Sequence, residues 1–377
     1  MMEVPPAHLR VAAIIDTSIV SGPGRQLAAV AGALRAHDVD LRVFTFQRAG
    51  SATSPYQAYL DAAAVPFDVI PEGGAADVTV VARLRRALDA FAPHVIQTHS
   101  YRPAALALGL RLTGSGWPWI AFFHGATSED RKVRIYNWVD RRLLARADRV
   151  VVMSQAHRDA FRALGDRVRL VHNAVVHHAD NTSQPASTPL SELPRPRVAC
   201  IGRLSHEKGV DILLHAVRLL ADRGIEFSVA VIGSGPEDQS LRSLNADLHL
   251  DDRVRFTGAI NPITPVYADV DVVVLPSRSE GLPNVLLEAL AADRTVVATR
   301  VGAVPEVLTD PDAGVLVPSG SADALADGLA LALDRIDDVT CSAARAATVE
   351  RFSLSRRAAA HRELYDDLLA SRLQRAG

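Results

Sequence analysis

The sequence predicts an α/β protein built as two doubly wound parallel sheets, and three observations carry that expectation. Short apolar runs alternate with helically spaced segments along nearly the whole chain, the pattern of strand–helix–strand units rather than of hairpins. Glycine-bearing loops recur after those runs, at the carboxyl ends where open α/β sheets receive ligands. The alternation stops once, across residues 177–196, and then resumes. The 377 residues are too many for one ordinary core and divide there into two domains.

Residues 1–176 make the first domain. Leu9–Ile15 is short and apolar and opens it as a buried strand. The loop Asp16–Arg25 contains Ser21-Gly22-Pro23-Gly24, and a helix is expected from Gln26 to Leu34. Glycines at such a turn let backbone approach a phosphate or sugar closely. The third glycine of a dinucleotide fingerprint would fall at Leu27, which disfavours a nicotinamide enzyme. Strands follow at Val39–Phe46, Phe67–Ile70, Val95–Thr98 and Trp119–Phe123, between helical patterns such as Val78–Phe91 and Arg102–Leu112. His99 and His124-Gly125 each stand at the carboxyl end of one of them. Ser128–Leu144 has a basic face and apolar residues at helical spacing. It reads first as a helix covering the sheet, with a membrane- or acceptor-facing helix as the alternative. Val150–Met153 and Arg169–His172 close the domain, and Ala174 just beyond would penalise a left-handed turn.

From His177 to Pro196 the chain is polar, proline-bearing and aperiodic, a linker between domains. His177, His178 and Asp180 lie in it without a fixed scaffold, so no metal site is expected there. Residues 197–350 repeat the first plan with strands at Arg197–Ile201, Ser228–Ile232, Val254–Thr257, Val272–Leu275, Thr295–Thr299 and Gly314–Val317. The final segment, 351–377, carries a long amphipathic helix from Ser353 to Arg375.

Two stretches of the second domain bear chemistry. After its first strand comes Gly202-Arg203-Leu-Ser-His-Glu-Lys208-Gly-Val-Asp211. Only Lys132 and Lys208 are lysines among 41 basic residues, so a chain that otherwise uses arginine has a compact ammonium here, a group able to reach a phosphate oxygen where a guanidinium would not fit. After the strand Val272–Leu275 comes Ser279-Glu280-Gly281-Leu282-Pro283-Asn284, leading into a helix that bears Glu288. Pro283 suits a first helical position. The helical rise puts the second carboxylate roughly 8 Å past the helix start, a spacing at which two glutamates can hold hydroxyls at separate places on one ligand. The helix start offers unpaired N–H groups to an anion.

On Gly202-Arg203-Leu204, Glu207-Lys208-Gly209, Gly233-Ser-Gly235-Pro236 and the spaced Glu280 and Glu288, the sequence resembles glycosyltransferase family 4, retaining enzymes of the GT-B fold. The likeness is clearest from Arg197 to Pro318. It implies two Rossmann-like domains facing each other across a cleft, with the last helix crossing back to the N-terminal, acceptor-binding domain. It implies a UDP- or GDP-sugar as donor, a saccharide or lipid-linked acceptor, and no metal or other cofactor. The matching residues imply roles: Arg203 and Lys208 hold the diphosphate with Gly202, Gly233 and Gly235; Glu280 holds sugar hydroxyls within the segment Gly281, Leu282, Pro283 and Asn284; Glu288 holds the ribose; His124 reaches the transferring sugar; and Gly22 and Gly24 face the donor phosphates and the acceptor. A nucleotide-sugar epimerase of the same fold and a non-catalytic nucleotide-sugar-binding module remain the alternatives.

Composition narrows the rest. Two cysteines, Cys200 and Cys341, are too few for a disulfide framework and are expected reduced and structural. No signal-like start and no run of about 20 apolar residues occurs, so a cytoplasmic protein is expected. Residues 1–175 carry 21 basic against 15 acidic side chains, +6, and residues 176–377 carry 20 against 28, −8, which together give the net −2. A basic first half suits a phosphorylated acceptor or peripheral contact with an anionic membrane. No nucleic-acid partner is expected. Two Asp-Val-Asp triplets, 38–40 and 269–271, imitate a metal motif but fall at the amino ends of strands, away from the ligand edge.

Overall fold

The computed structural model describes residues 6–48, 50–74, 77–125, 141–176, 188–336 and 338–376. The chain divides into two compact units, the first from Met1–Ala126, Asp130–Val176 and Ser353–Gly377, the second from His177–Phe352. Most of the linker 177–196 and of the basic helix expected at Ser128–Leu144 lie outside the described residues, as does the His177, His178 and Asp180 group. Residues 141–144 are helical.

The first unit holds a seven-stranded sheet: β1 (Leu9–Ile15), β2 (Val39–Arg48), β3 (Phe67–Glu72), β4 (Val95–His99), β5 (Trp119–Phe123), β6 (Arg149–Val152) and β7 (Val168–Leu170). Its order is β3-β2-β1-β4-β5-β6-β7 and every pairing is parallel. The second holds six parallel strands: β8 (Arg197–Ile201), β9 (Ser228–Ile232), β10 (Val254–Gly258), β11 (Val272–Leu275), β12 (Thr295–Thr299) and β13 (Val315–Val317), ordered β10-β9-β8-β11-β12-β13. Both orders reverse direction once, between β1 and β4 and between β8 and β11. Loops diverge at those two points and leave the crevices in which such sheets bind ligands.

Burial explains the strand sequences. The residues of β4, β5, β9 and β12 are buried along their whole length, so the runs do not alternate; β5 is apolar throughout, whereas β4 ends on the buried polar residues Gln97, Thr98 and His99. Helices cover the faces with apolar stripes; Val210–Asp222 buries Ile212, Leu213, Ala216, Val217 and Leu220 against the second sheet. The final helix, Leu354–Ala376, belongs to the first unit. It buries Arg357, His361, Leu364, Tyr365 and Leu368 there, and Arg149 and Arg169 both reach Asp367 at 3.0 Å.

Several local expectations need correction. Gly22 and Gly24 are not in a loop: the helix runs Gly22–Leu34, because Ser21 caps it by accepting a hydrogen bond from the Gly24 amide at 3.2 Å. A Cβ at Gly24 would lie 2.7 Å from the Tyr56 ring, so packing accounts for this glycine. Pro283 stands before the next helix as an extended N-cap, and the helix begins at Asn284. Ala174 avoids the left-handed region. The Gln26 side chain instead pins it, donating to the Ala174 carbonyl at 2.8 Å and accepting from its amide at 3.1 Å. The second Asp-Val-Asp triplet is structural, as expected: Asp271 accepts from the Arg197 amide at 2.8 Å, and Asp269 takes the hydroxyls of Thr188 and Ser191. Among the described residues no helix is long and apolar enough to cross a membrane.

Candidate active site

In the second unit the two motif loops leave β8 and β11, the strands that flank the reversal of order. The loop after β8 turns through the short 3-10 helix His206–Lys208 to Gly209, where backbone at φ 65° would bring any Cβ against the Pro276 carbonyl. The loop after β11 is fastened to it by Arg278. Its guanidinium spans both Asp211 oxygens at 2.7 and 2.6 Å, and its amide donates to the Glu207 carbonyl at 2.8 Å. Burial alone would raise the Asp211 carboxyl; the hydrogen bonds and charge of Arg278 outweigh it and hold that carboxyl below its usual range.

This clamp brings Lys208 and Glu280 together. Lys208 Nζ lies 2.7 Å from Glu280 Oε1, and Ser277 Oγ donates to the same oxygen at 2.7 Å. Ser277 is itself held, its carbonyl accepting from Thr299 Oγ1 at 2.6 Å and Ser319 Oγ at 3.0 Å. The Glu280 side chain is 9% exposed and that of Lys208 28%, so the pair sits at the edge of water with one face shielded. A pocket lies over it, lined in part by Gly202, Arg203, Lys208, Ser277, Glu280 and Pro283. Arg203 is exposed and, among the described residues, makes no hydrogen bond or ion pair. Beneath, the Cys200 thiol is pushed up to about 12 by burial, which leaves it inert. Both cysteines are free and buried.

Other predicted residues support this pocket without lining it. Gly233, at φ 145°, lies against Gly202, whose carbonyl a Cβ at Gly233 would overlap, and Gly235 fits equally closely on Leu204. Leu282 is 5% exposed and belongs to the core, and Gly281 accepts the Ala303 amide at 2.8 Å. Glu288, 8% exposed, lies inside the helix Asn284–Ala291 and accepts from the Tyr267 hydroxyl at 2.7 Å.

The predicted residues Gly22, Gly24 and His124 belong to the first unit. His124 follows β5 and is half-buried, its Nε2 lying 2.9 Å from His99 Nδ1. Burial, with the charges of Arg357 and His157, lowers the His124 imidazole to about 3; burial and the facing rings push His99 well below its ordinary value. His99, Phe122 and His361 stack in one pile, centroids 4.7 and 5.4 Å apart.

Sequence reasoning missed Ser277, Arg278, Asp211 and Tyr267, and also Gln97, Arg357, His361 and Tyr365. The last three recur every fourth residue along the final helix, a polar stripe on a face that also buries Leu364 and Leu368. That spacing was the available signal.

Comparison with known proteins bears on all of this. The family model described as "Glycosyl transferase 4-like domain" matches residues 21–174, and "Glycosyl transferases group 1" matches residues 195–335. The putative colanic acid biosynthesis glycosyltransferase WcaL of Escherichia coli is 29% identical over 219 residues, 55% of this chain and 53% of that one. A GDP-mannose-dependent alpha-(1-6)-phosphatidylinositol monomannoside mannosyltransferase of Mycobacterium tuberculosis is 35% identical over 160 residues, 40% of this chain and 42% of its own. The chain spans about half the length of the curated relatives it matches. The crystal structure of Anabaena HepE in complex with UDP and glucose superposes with a TM-score of 0.77 at 20% identity, over 96% of this chain and 100% of that one, and so shares its fold.

Proposed function

The chain belongs to the family 4-like glycosyltransferases of GT-B fold, and on that premise we propose that it moves a sugar from a nucleotide-diphosphate sugar to an acceptor hydroxyl with retention at the anomeric carbon. The observation that carries this reading is the Lys208–Glu280 pair, 2.7 Å apart, beside an Arg203 that has no partner among the described residues, at the point where the strand order reverses. Two cations and a shielded carboxylate at one crevice suit a ligand that has a diphosphate at one end and hydroxyls at the other.

Each residue then has a physical task. Arg203 and Lys208 meet the diphosphate and hold its charge as it leaves, with backbone N–H groups at the helix start Asn284–Ala291 adding to the field. Transfer is proposed to need no metal, since these groups are in position to carry that charge. As the phosphate draws Lys208 away, Glu280 turns to the sugar hydroxyls. Glu280 is proposed as a holder rather than an attacking group, its Oε1 still bound by Ser277 Oγ once Lys208 has turned to the phosphate. The departing diphosphate oxygen accepts the acceptor's proton while the new bond forms on the face it leaves. Glu288, oriented by Tyr267, takes the ribose.

A UDP- or GDP-sugar is the proposed donor, in line with HepE binding UDP and the GDP-mannose dependence of the mycobacterial relative. The acceptor is proposed to be a saccharide or lipid-linked precursor of a cell-surface polysaccharide, in keeping with the +6 charge of residues 1–175 and with WcaL.

Thermal unfolding against UDP, GDP and ADP, with EDTA present, tests the reading on wild type and Lys208→Ala. A ligand that binds only the folded state raises stability by about 2.7 kcal/mol at a hundred times its dissociation constant. One nucleotide is expected to give a shift that survives EDTA and disappears in the variant. A shift that needs metal, or that Lys208→Ala keeps, overturns the assignment. Consumption of donor without acceptor, giving an epimer, would favour the epimerase.

A further inference from the structure

We propose that the C-terminal helix sets the position of the His124 ring proton, through a one-way hydrogen-bond relay of Tyr365, Gln97 and His99 that leaves His124 as a donor through Nδ1. The relay lies wholly within the first unit. His361 Nδ1 is 3.1 Å from Tyr365 Oη, and Tyr365 Oη is 2.8 Å from Gln97 Oε1. Gln97 Nε2 is 3.2 Å from His99 Nε2, and His99 Nδ1 is 2.9 Å from His124 Nε2. Gln97, His99, His361 and Tyr365 are each 2% exposed or less, so water does not offer substitute partners.

In such a closed chain one proton fixes all the others. If Tyr365 donates to Gln97 Oε1, the amide nitrogen of Gln97 must donate to His99 Nε2. His99 then carries its proton on Nδ1 and donates it to His124 Nε2, so His124 carries its own on Nδ1. The reverse chain, with the Gln97 amide turned over so that its nitrogen faces Tyr365, is also self-consistent, and His361 decides between them. Its Nε2 is buried with no hydrogen-bond partner among the described residues. In the reverse chain Tyr365 donates to His361 Nδ1, which strands a buried N–H at Nε2; in the proposed chain Nε2 is only a lone pair, the cheaper group to leave unmet.

Electrostatics keep the rings of the relay neutral, so each has a single proton to place. Arg357, 5% exposed, donates to the side-chain oxygens of Gln26 and Asn173 and has no carboxylate partner among the described residues. Burial is the main reason that His99, His124 and His361 stay neutral, and the Arg357 charge adds to it, with His157 also facing His124.

The chemical consequence concerns what His124 can do. With Nε2 engaged by His99, the ring offers one N–H and no free lone pair. It therefore donates to a ligand oxygen and does not act as general base toward an acceptor hydroxyl. That the oxygen belongs to a transferring sugar rests on the proposed function and on the role the family resemblance implies for His124; the relay itself rests on neither. Gln97, His99, His361 and Tyr365 are positioning residues for His124.

Histidine-ring nitrogen NMR of the full-length free protein reads the proton positions directly. The expected result is His124 with a protonated Nδ1 and a bare Nε2. Tyr365→Phe, which keeps the ring packing, is expected to yield both tautomers. Gln97→Glu, which can only accept when ionised, is expected to move the proton to His124 Nε2. Protonated Nε2 in the wild type, or ring signals unchanged in both variants, overturns the relay. In transfer assays His124→Asn, whose amide nitrogen mimics Nδ1, is expected to exceed His124→Gln, which mimics Nε2, by roughly tenfold in kcat with a smaller change in donor KM. The opposite order overturns the donor role. If no transfer is found at all, the proposed function fails while the NMR result still decides the relay.

Discussion

The carboxyl edges of the two sheets solve one architectural problem with opposite chemistry. In the second unit, the edge between β8 and β11 carries charge near water: Lys208 against Glu280, Arg278 spanning Asp211, and an exposed Arg203. In the first, the edge at β4 and β5 carries neutral rings packed out of water, with His99, Phe122 and His361 stacked and Arg357 held by amide oxygens. The charged edge can exchange its internal partners for a ligand's, because an ammonium and a carboxylate each find new partners readily. The neutral edge cannot exchange much, and its value is direction: buried hydrogen bonds fix which atom holds a proton. One edge is suited to grip and the other to orient.

Four experiments would break or sharpen that contrast. The largest effect is expected from Gly233→Ala, since the side chain would overlap the Gly202 carbonyl at a φ of 145°. A loss of about 3–5 kcal/mol in the second unit is expected, read from its urea unfolding. A loss below about 1 kcal/mol would mean that this loop is free to move and that the pocket is not preformed.

Glu280→Gln separates grip from transfer. It removes the carboxylate paired with Lys208, and kcat/KM for the nucleotide sugar is expected to fall by roughly 10²–10³, while affinity for the bare nucleotide diphosphate is kept or improved. Calorimetry and initial rates check both halves. Loss of nucleotide binding instead would show that the pair holds the loops rather than the sugar.

Acid should affect the first unit through its rings. His99, His124 and His361 resist protonation when folded but take up a proton near pH 6.5 when unfolded. Below that pH the unfolded chain binds more protons and is favoured. Stability is therefore complete above pH 6.5 and declines as pH drops toward the His124 value of about 3, by about 1.4 kcal/mol per pH unit for each ring that stays neutral. All three tryptophans, Trp117, Trp119 and Trp138, fall before residue 176, so their fluorescence in urea titrations at pH 7.5, 6 and about 5 follows this unit. A flat profile would show that water reaches the rings.

The smallest effect is expected from Tyr267→Phe, which deletes a hydrogen bond to Glu288 and leaves the ring in place. Donor KM should rise by roughly tenfold with kcat little changed, the size of a hydrogen bond to a charged group. An unchanged KM would remove Glu288 from the ribose.

The strands were legible because burial on both faces writes itself as uninterrupted valine, isoleucine and alanine, as in Val272–Leu275. Gly202, Lys208 and Glu280 were legible for a different reason. Backbone geometry demands glycine, and one of only two lysines stands out in a chain of arginines. Two positions were misread. Gly24 is glycine because Tyr56 packs on it, and Pro283 caps a helix that begins one residue later. Each depends on a neighbour or on a single dihedral, which spacing does not encode.

By itself, then, the sequence determined two doubly wound sheets, their glycine loops, and the residues that stand after β8 and β11. Periodicity and chain order are local properties, and ligand-edge position follows from them. Only the tertiary structure decided that Lys208 and Glu280, 72 residues apart, share a hydrogen bond, and that Tyr365 reaches Gln97 across 268 residues. No local signal records such a pairing, because it costs the chain nothing until folding closes the loop between its partners.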